Sequence, residues 1–181
     1  MLLALALFAC SSEETGDTSD TGDTGGGLPQ VDAPPLVINE VLASNDTSQA
    51  DGAGEFDDWV EIYNNGDTIV SLDGFYLSDT EDEPTLFQFP AGQGIEVGGF
   101  LAVWCDNDIE QATATELHAP FKLNAKGDFV YLNYAEDNQV GVADSVYWEA
   151  QQTADVAAAR VPDGSETWVN QAATFEASNG G

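Results

Sequence analysis

Apolar residues fall along this chain in short runs separated by turn-forming residues, and that spacing predicts strands. The runs are Leu36–Leu42, Trp59–Tyr63, Gly74–Leu77, Leu86–Phe89, Phe100–Trp104, Phe129–Tyr134 and Val140–Trp148. Between them lie Asn64-Asn65-Gly66-Asp67, Pro90-Ala91-Gly92, Gly98-Gly99 and Lys126-Gly127-Asp128, where Gly and Asn tolerate the positive φ that tight turns require. Gly74, after Asp73, reads as a bend or bulge residue. Strand alternation puts Phe129, Tyr131 and Asn133 on one side and Val130, Leu132 and Tyr134 on the other, both sides apolar as in a central strand. Helix is an alternative at Asp108–Leu117 and Ala154–Ala159, but neither stretch carries an apolar stripe. The expectation is an all-β sandwich or barrel, forming one domain over residues 36–179.

The chain ahead of Leu36 has a different character. An apolar run, Leu2 to Ala9, ends at Cys10, after which the sequence turns polar at once. The run is far shorter than the roughly 20 residues that cross a bilayer. Leu7-Phe8-Ala9-Cys10 resembles the lipobox of bacterial lipoproteins, which implies a signal peptide over residues 1–9 and lipidation at Cys10. No Lys or Arg precedes the run, so a start codon further upstream, supplying a basic n-region, is expected. Residues 10–35 then read as a disordered acidic Thr/Gly/Asp linker, with Thr-Gly-Asp-Thr recurring at Thr15 and Thr21. The expected location is the cell envelope, lipid-anchored at the outer membrane, or outside the cell.

Within the folded part, VINEV (Val37–Val41), DWVEIYNNGD (Asp58–Asp67), VSLDGFYLSD (Val70–Asp79), FQFP (Phe87–Pro90) and IEVGGFLAVW (Ile95–Trp104) follow one another in a distinctive order. HAPFKLNAKGDFVYL (His118–Leu132), DSVYW (Asp144–Trp148), ARVPDGSETW (Ala159–Trp168) and ATFEASN (Ala173–Asn179) complete it. In order and character these strings resemble the lamin tail domain family. The resemblance implies an immunoglobulin-like β-sandwich that works as a non-enzymatic module for protein or glycan contacts.

Charge narrows the range of partners. Asp and Glu number 33 against 3 Lys and Arg, a formal net charge of -30. Nucleic acid is excluded as a partner, since affinity for phosphate backbones rests on Lys and Arg displacing counterions. The membrane is expected to be reached through the lipid alone. Arg160 reads as one half of a structural ion pair, and Glu40 and Glu61, set among apolar strand residues, as structural carboxylates. Trp59, Trp104, Trp148 and Trp168 read as core, with an exposed sugar-binding pair as the alternative.

Catalytic chemistry finds little footing. His118 is the single histidine, so sites built from two or three imidazoles, and HExxH, are absent from the sequence. It reads as a loop or strand-edge residue, and a hydrolase would need it, or a carboxylate pair, to converge in a pocket. Cys105, closing an apolar run, reads as a buried thiol. No cofactor is expected apart from calcium, whose hard-oxygen chemistry suits Asp79, Glu81, Asp82 and Glu83 in one loop and Asp106 and Asp108 in another. Calcium-dependent adhesion or carbohydrate binding is therefore the alternative function.

Overall fold

The computed structural model describes residues 27–149 and 153–180. Among the described residues twelve strands are present: β1 (Leu36–Leu42), β2 (Trp59–Asn64), β3 (Val70–Ser71), β4 (Phe75–Ser78), β5 (Phe87–Gln88), β6 (Gly94–Ile95), β7 (Phe100–Cys105), β8 (Leu117–Ala119), β9 (Asp128–Glu136), β10 (Gln139–Trp148), β11 (Val156–Arg160) and β12 (Trp168–Ala172). They form a six-stranded sheet in the order β12-β11-β1-β2-β7-β8, a four-stranded sheet in the order β10-β9-β4-β5, and a small β3-β6 pair. All pairings are antiparallel except β7 with β8. Ile38, Val60 and Val103 from the first sheet meet Leu77, Val130, Leu132 and Val146 from the second in one buried cluster. The result is a β-sandwich, one of the two architectures that the apolar pattern allows, in the immunoglobulin-like form that the resemblance implies.

Two bulges set the geometry between the sheets. β1 slips register between Ile38 and Glu40, and β10 between Val142 and Asp144. A bulge frees backbone groups from the ladder, and buried ones need new partners. At Ile38 they come from side chains: its N–H donates to Asp144 at 2.8 Å, and its carbonyl accepts from Arg160 Nε at 2.8 Å. Arg160 also places Nη2 3.0 Å from both Asp144 oxygens and stacks over Trp168. The expected structural ion pair is therefore the tie between β1, β10 and β11.

The C-terminal residues close the outer face of the six-stranded sheet. Phe175 stacks on Trp104 at 5.1 Å and meets Trp59 edge-on at 5.2 Å, forming a second small core with Leu42 and Ala157. Beneath this strap lie Glu40 and Glu61, opposite one another across the β1–β2 ladder and fully buried. Glu40 accepts from the Thr174 N–H and hydroxyl, and Glu61 from Asn39 Nδ2 at 3.1 Å. Burial pushes the Glu61 carboxyl up to about 8 and raises that of Glu40. Both carboxyls are structural, as their setting in the sequence implies.

Three features differ from the expectations. Ala154–Ala159 is not helical but mostly strand β11, held between β1 and β12. Asp108–Leu117 contains only a 3-10 turn at Ile109–Gln111 before β8 begins. Residues 29–31, assigned to the linker, run beside β10, where Val142 N–H donates to Pro29 and Val31 N–H donates to Val142. Gly74 has φ 85° in the turn entering β4, where a Cβ would press on the Ala135 carbonyl.

Candidate functional site

One end of the sandwich gathers acids around the histidine. The β1–β2 loop is shaped by Asn45, whose Nδ2 donates to the Gln49 and Asp57 carbonyls at 2.7 and 2.8 Å. Asp51 folds the next turn: its Oδ1 accepts from the Ala53 and Glu55 N–H groups at 3.0 and 2.7 Å. This loop is fastened to the segment after β7 by Gly52 N–H donating to Glu116 at 2.8 Å and by Gln111 donating to Glu55 at 2.8 Å. Asp106, just beyond β7, and His118, in β8, face each other with Nδ1 and Oδ2 2.6 Å apart. One donor atom from each of Asp51, Asp106 and His118 lies within 4.8 Å of the other two, and all three residues are buried. Asp51, Glu55 and Asp57 form a second grouping of the same size.

The polar accounting at this end is incomplete. Asp51 Oδ2 and His118 Nε2 are buried with no protein partner. Burial first, then the charges of Asp106, Asp51 and Glu55, raises the Asp57 carboxyl, and burial takes Asp58 to about 6. Lys122, paired by a backbone bridge with Asp106, opposes both shifts. The donor set, one imidazole with two to four carboxylates, is able to hold a divalent cation.

Of the calcium candidates read from sequence, only Asp106 belongs to these groupings. Asp108 is exposed, its N–H donating to Asp106 Oδ1 at 2.9 Å. Glu81, Asp82 and Glu83 are exposed in the loop after β4, and Asp79 is half-buried there; among the described residues none of the four joins either grouping. Cys10 lies outside the described residues. Cys105 is a buried thiol, with burial pushing its pKa well up. His118, read as a loop or edge residue, does sit in the edge strand β8, but at 1% exposure it is sealed from any substrate. Asp51 escaped the sequence reading, although the run Asp51-Gly-Ala-Gly-Glu55 carries the signal of an acidic, glycine-tightened turn.

The second notable surface is the outer face of the four-stranded sheet. Phe129 and Tyr131 project from β9 beside Tyr147 of β10, whose partner across the ladder is Phe129. Phe129 stacks on Tyr147 at 4.4 Å and on Tyr131 at 5.8 Å. Phe129 is 44% and Tyr147 54% exposed. Tyr147 also borders a groove of about 370 Å³ shared with Trp148 and Trp168. The four tryptophans offer no exposed pair, since Trp59, Trp104 and Trp148 are buried.

Two facing sheets around one core define an immunoglobulin-like domain, a class of fold that is typically non-catalytic. The family model for the Lamin Tail Domain matches residues 29–150, well over half of the chain, and the chain belongs to that family. No curated protein matches it. The matched segment ends near the close of β10, whereas the fold continues through β11, β12 and the strap to residue 180.

Proposed function

We propose that this protein is a non-enzymatic surface module, held at the cell envelope by a lipid on Cys10, that presents the outer face of β9 and β10 to a protein partner. The supporting observation is the exposed Phe129–Tyr147 pair, with Phe129 also stacking on the half-buried Tyr131. Aromatic clusters of this kind supply most of the energy in protein interfaces, and a folded domain rarely leaves one in water without use. Stacking turns the ring faces toward each other, which favours a protein surface over a sugar ring that would lie flat on an open platform. The net charge of -30 favours a partner with basic residues at the rim of that contact.

The test has two arms. Detergent phase partitioning of the natural full-length protein places it in the lipid phase, and Cys10→Ser moves it to the aqueous phase; unchanged partitioning removes the anchor from the proposal. Crosslinking on intact cells then joins the wild-type chain to a specific protein, with capture falling by about tenfold or more for the double variant Phe129→Thr/Tyr147→Thr. Equal capture by both chains rules out this face.

A further inference from the structure

We propose that Asp51 and His118, with Asp106 orienting the imidazole, form a site for a single divalent cation of the zinc type, which fastens the β1–β2 loop to β7 and β8 at one end of the sandwich. The inference is independent of the display role. It starts from two orphans: Asp51 Oδ2 and His118 Nε2 have no partner, in residues only 8% and 1% exposed. Leaving such atoms unpaired is costly, so each one in a native fold calls for an explanation such as a bound ion or water.

The hydrogen bonds already made point to what is missing. In the tautomer whose Nδ1–H donates to Asp106, Nε2 offers a lone pair, and Asp51 Oδ2 offers another. Both atoms are buried without a partner in residues whose ligand atoms are grouped, and a cation bound there satisfies both. The Asp106–His118 contact at 2.6 Å is also the arrangement that orients a metal-binding imidazole and raises its basicity. Asp57 and Glu55, grouped with Asp51, bring further carboxylates to the same turn and add negative charge that a dication would offset. Calcium requires six to eight oxygens and has little use for imidazole, whereas mixed nitrogen and carboxylate ligands suit zinc and its first-row neighbours. A buried water donating to both orphans is the competing occupant, and it predicts no metal response at all.

His118 is the single histidine of the chain, which gives the experiment an unambiguous reporter. The full-length protein, untagged and stripped of metal, is titrated with zinc and separately with calcium while heat uptake, thermal midpoint and the imidazole ¹⁵N resonances are followed. The expected result is one saturable equivalent of zinc, a raised midpoint reversed by chelator, and a large shift of one His118 ring nitrogen. Asp51→Asn keeps the oxygen that holds the Ala53–Glu55 turn and is expected to weaken zinc binding by at least about tenfold. Any of four outcomes overturns the proposal: no saturable zinc binding, unmoved His118 resonances when zinc binds, wild-type affinity in Asp51→Asn, or stabilisation by calcium in preference to zinc. The histidine resonances in the wild-type chain decide the matter even if the variant fails to fold.

Discussion

On the outer face of the six-stranded sheet, Trp59 and Trp104 stand on neighbouring strands much as Phe129 and Tyr147 do on the four-stranded sheet. The tryptophans are sealed, at 0% and 3% exposure, while Phe129 and Tyr147 are about half open. The difference lies in the strap. Phe175 covers both indoles, and Thr174 supplies the hydrogen bonds that let Glu40 lie beneath it. Over Phe129 and Tyr147 the described chain lays no such cover; the loop after β4 closes only further along the face, where Asn133 donates to the Pro84 carbonyl. An aromatic pair on a sheet face is therefore core or interface according to what lies over it, and the strand sequence alone looks the same in both cases.

The largest expected effect breaks the covered face. Phe175→Ala removes the half-buried ring between Trp59 and Trp104 and is expected to cost about 2–3 kcal/mol of stability in chemical denaturation, below the range of a fully buried ring, with increased tryptophan quenching. A loss under about 1 kcal/mol would show that the strap rests on the sheet without contributing to its stability.

The strap also marks where the sequence stopped being informative. Strands β1, β2, β4, β7, β9 and β10 were legible from apolar runs, because each buries an inward row in the main core. β11 was not: Val156-Ala157-Ala158-Ala159-Arg160 has the composition of a helix and becomes a strand through pairing with β1 and β12. Its small side chains suit a face on which another segment lies close, as Ala157 does beside Phe175. β3 and β6, two residues each, leave no periodicity to detect. At the acidic end, the sequence marks Asp106 as a ligand type and pairs it with Asp108, its near neighbour along the chain. The actual neighbours, Asp51 and His118, meet it only because the β1–β2 loop folds over the ends of β7 and β8.

The next effect sharpens the comparison through pH. Glu61 under the strap rises from its ordinary 4.5 to about 8, chiefly by burial, so the folded chain holds a proton that the unfolded chain releases. The stability this group contributes is complete below about pH 4.5 and is lost as pH rises through about 8. Glu40 and Asp144, raised by burial as well, act in the same direction. Glu61→Gln, permanently neutral, is expected to flatten the decline of denaturation midpoints between about pH 5 and 9 and to exceed wild type at the alkaline end. An unchanged slope would place the proton elsewhere. Thr174→Val follows, with an expected cost of about 1–2 kcal/mol from removing the hydroxyl that faces the buried Glu40 carboxyl.

The smallest effect is expected on the open face, and its smallness is the point. Phe129→Thr exchanges an aromatic strand residue for a β-branched one and loses the stacking on Tyr131 and Tyr147. Stacked pairs contribute about 0.5–1.5 kcal/mol, but a half-exposed ring recovers hydration when it is removed, and Thr favours the strand; the net change is expected to stay within about 1 kcal/mol. Measured beside Phe175→Ala, this value separates the two faces directly. A near-zero cost means the stack contributes little to folding, leaving binding as the reason for exposing it. A cost approaching that of Phe175→Ala would instead make Phe129 part of the structural frame, and the contrast between the faces would collapse.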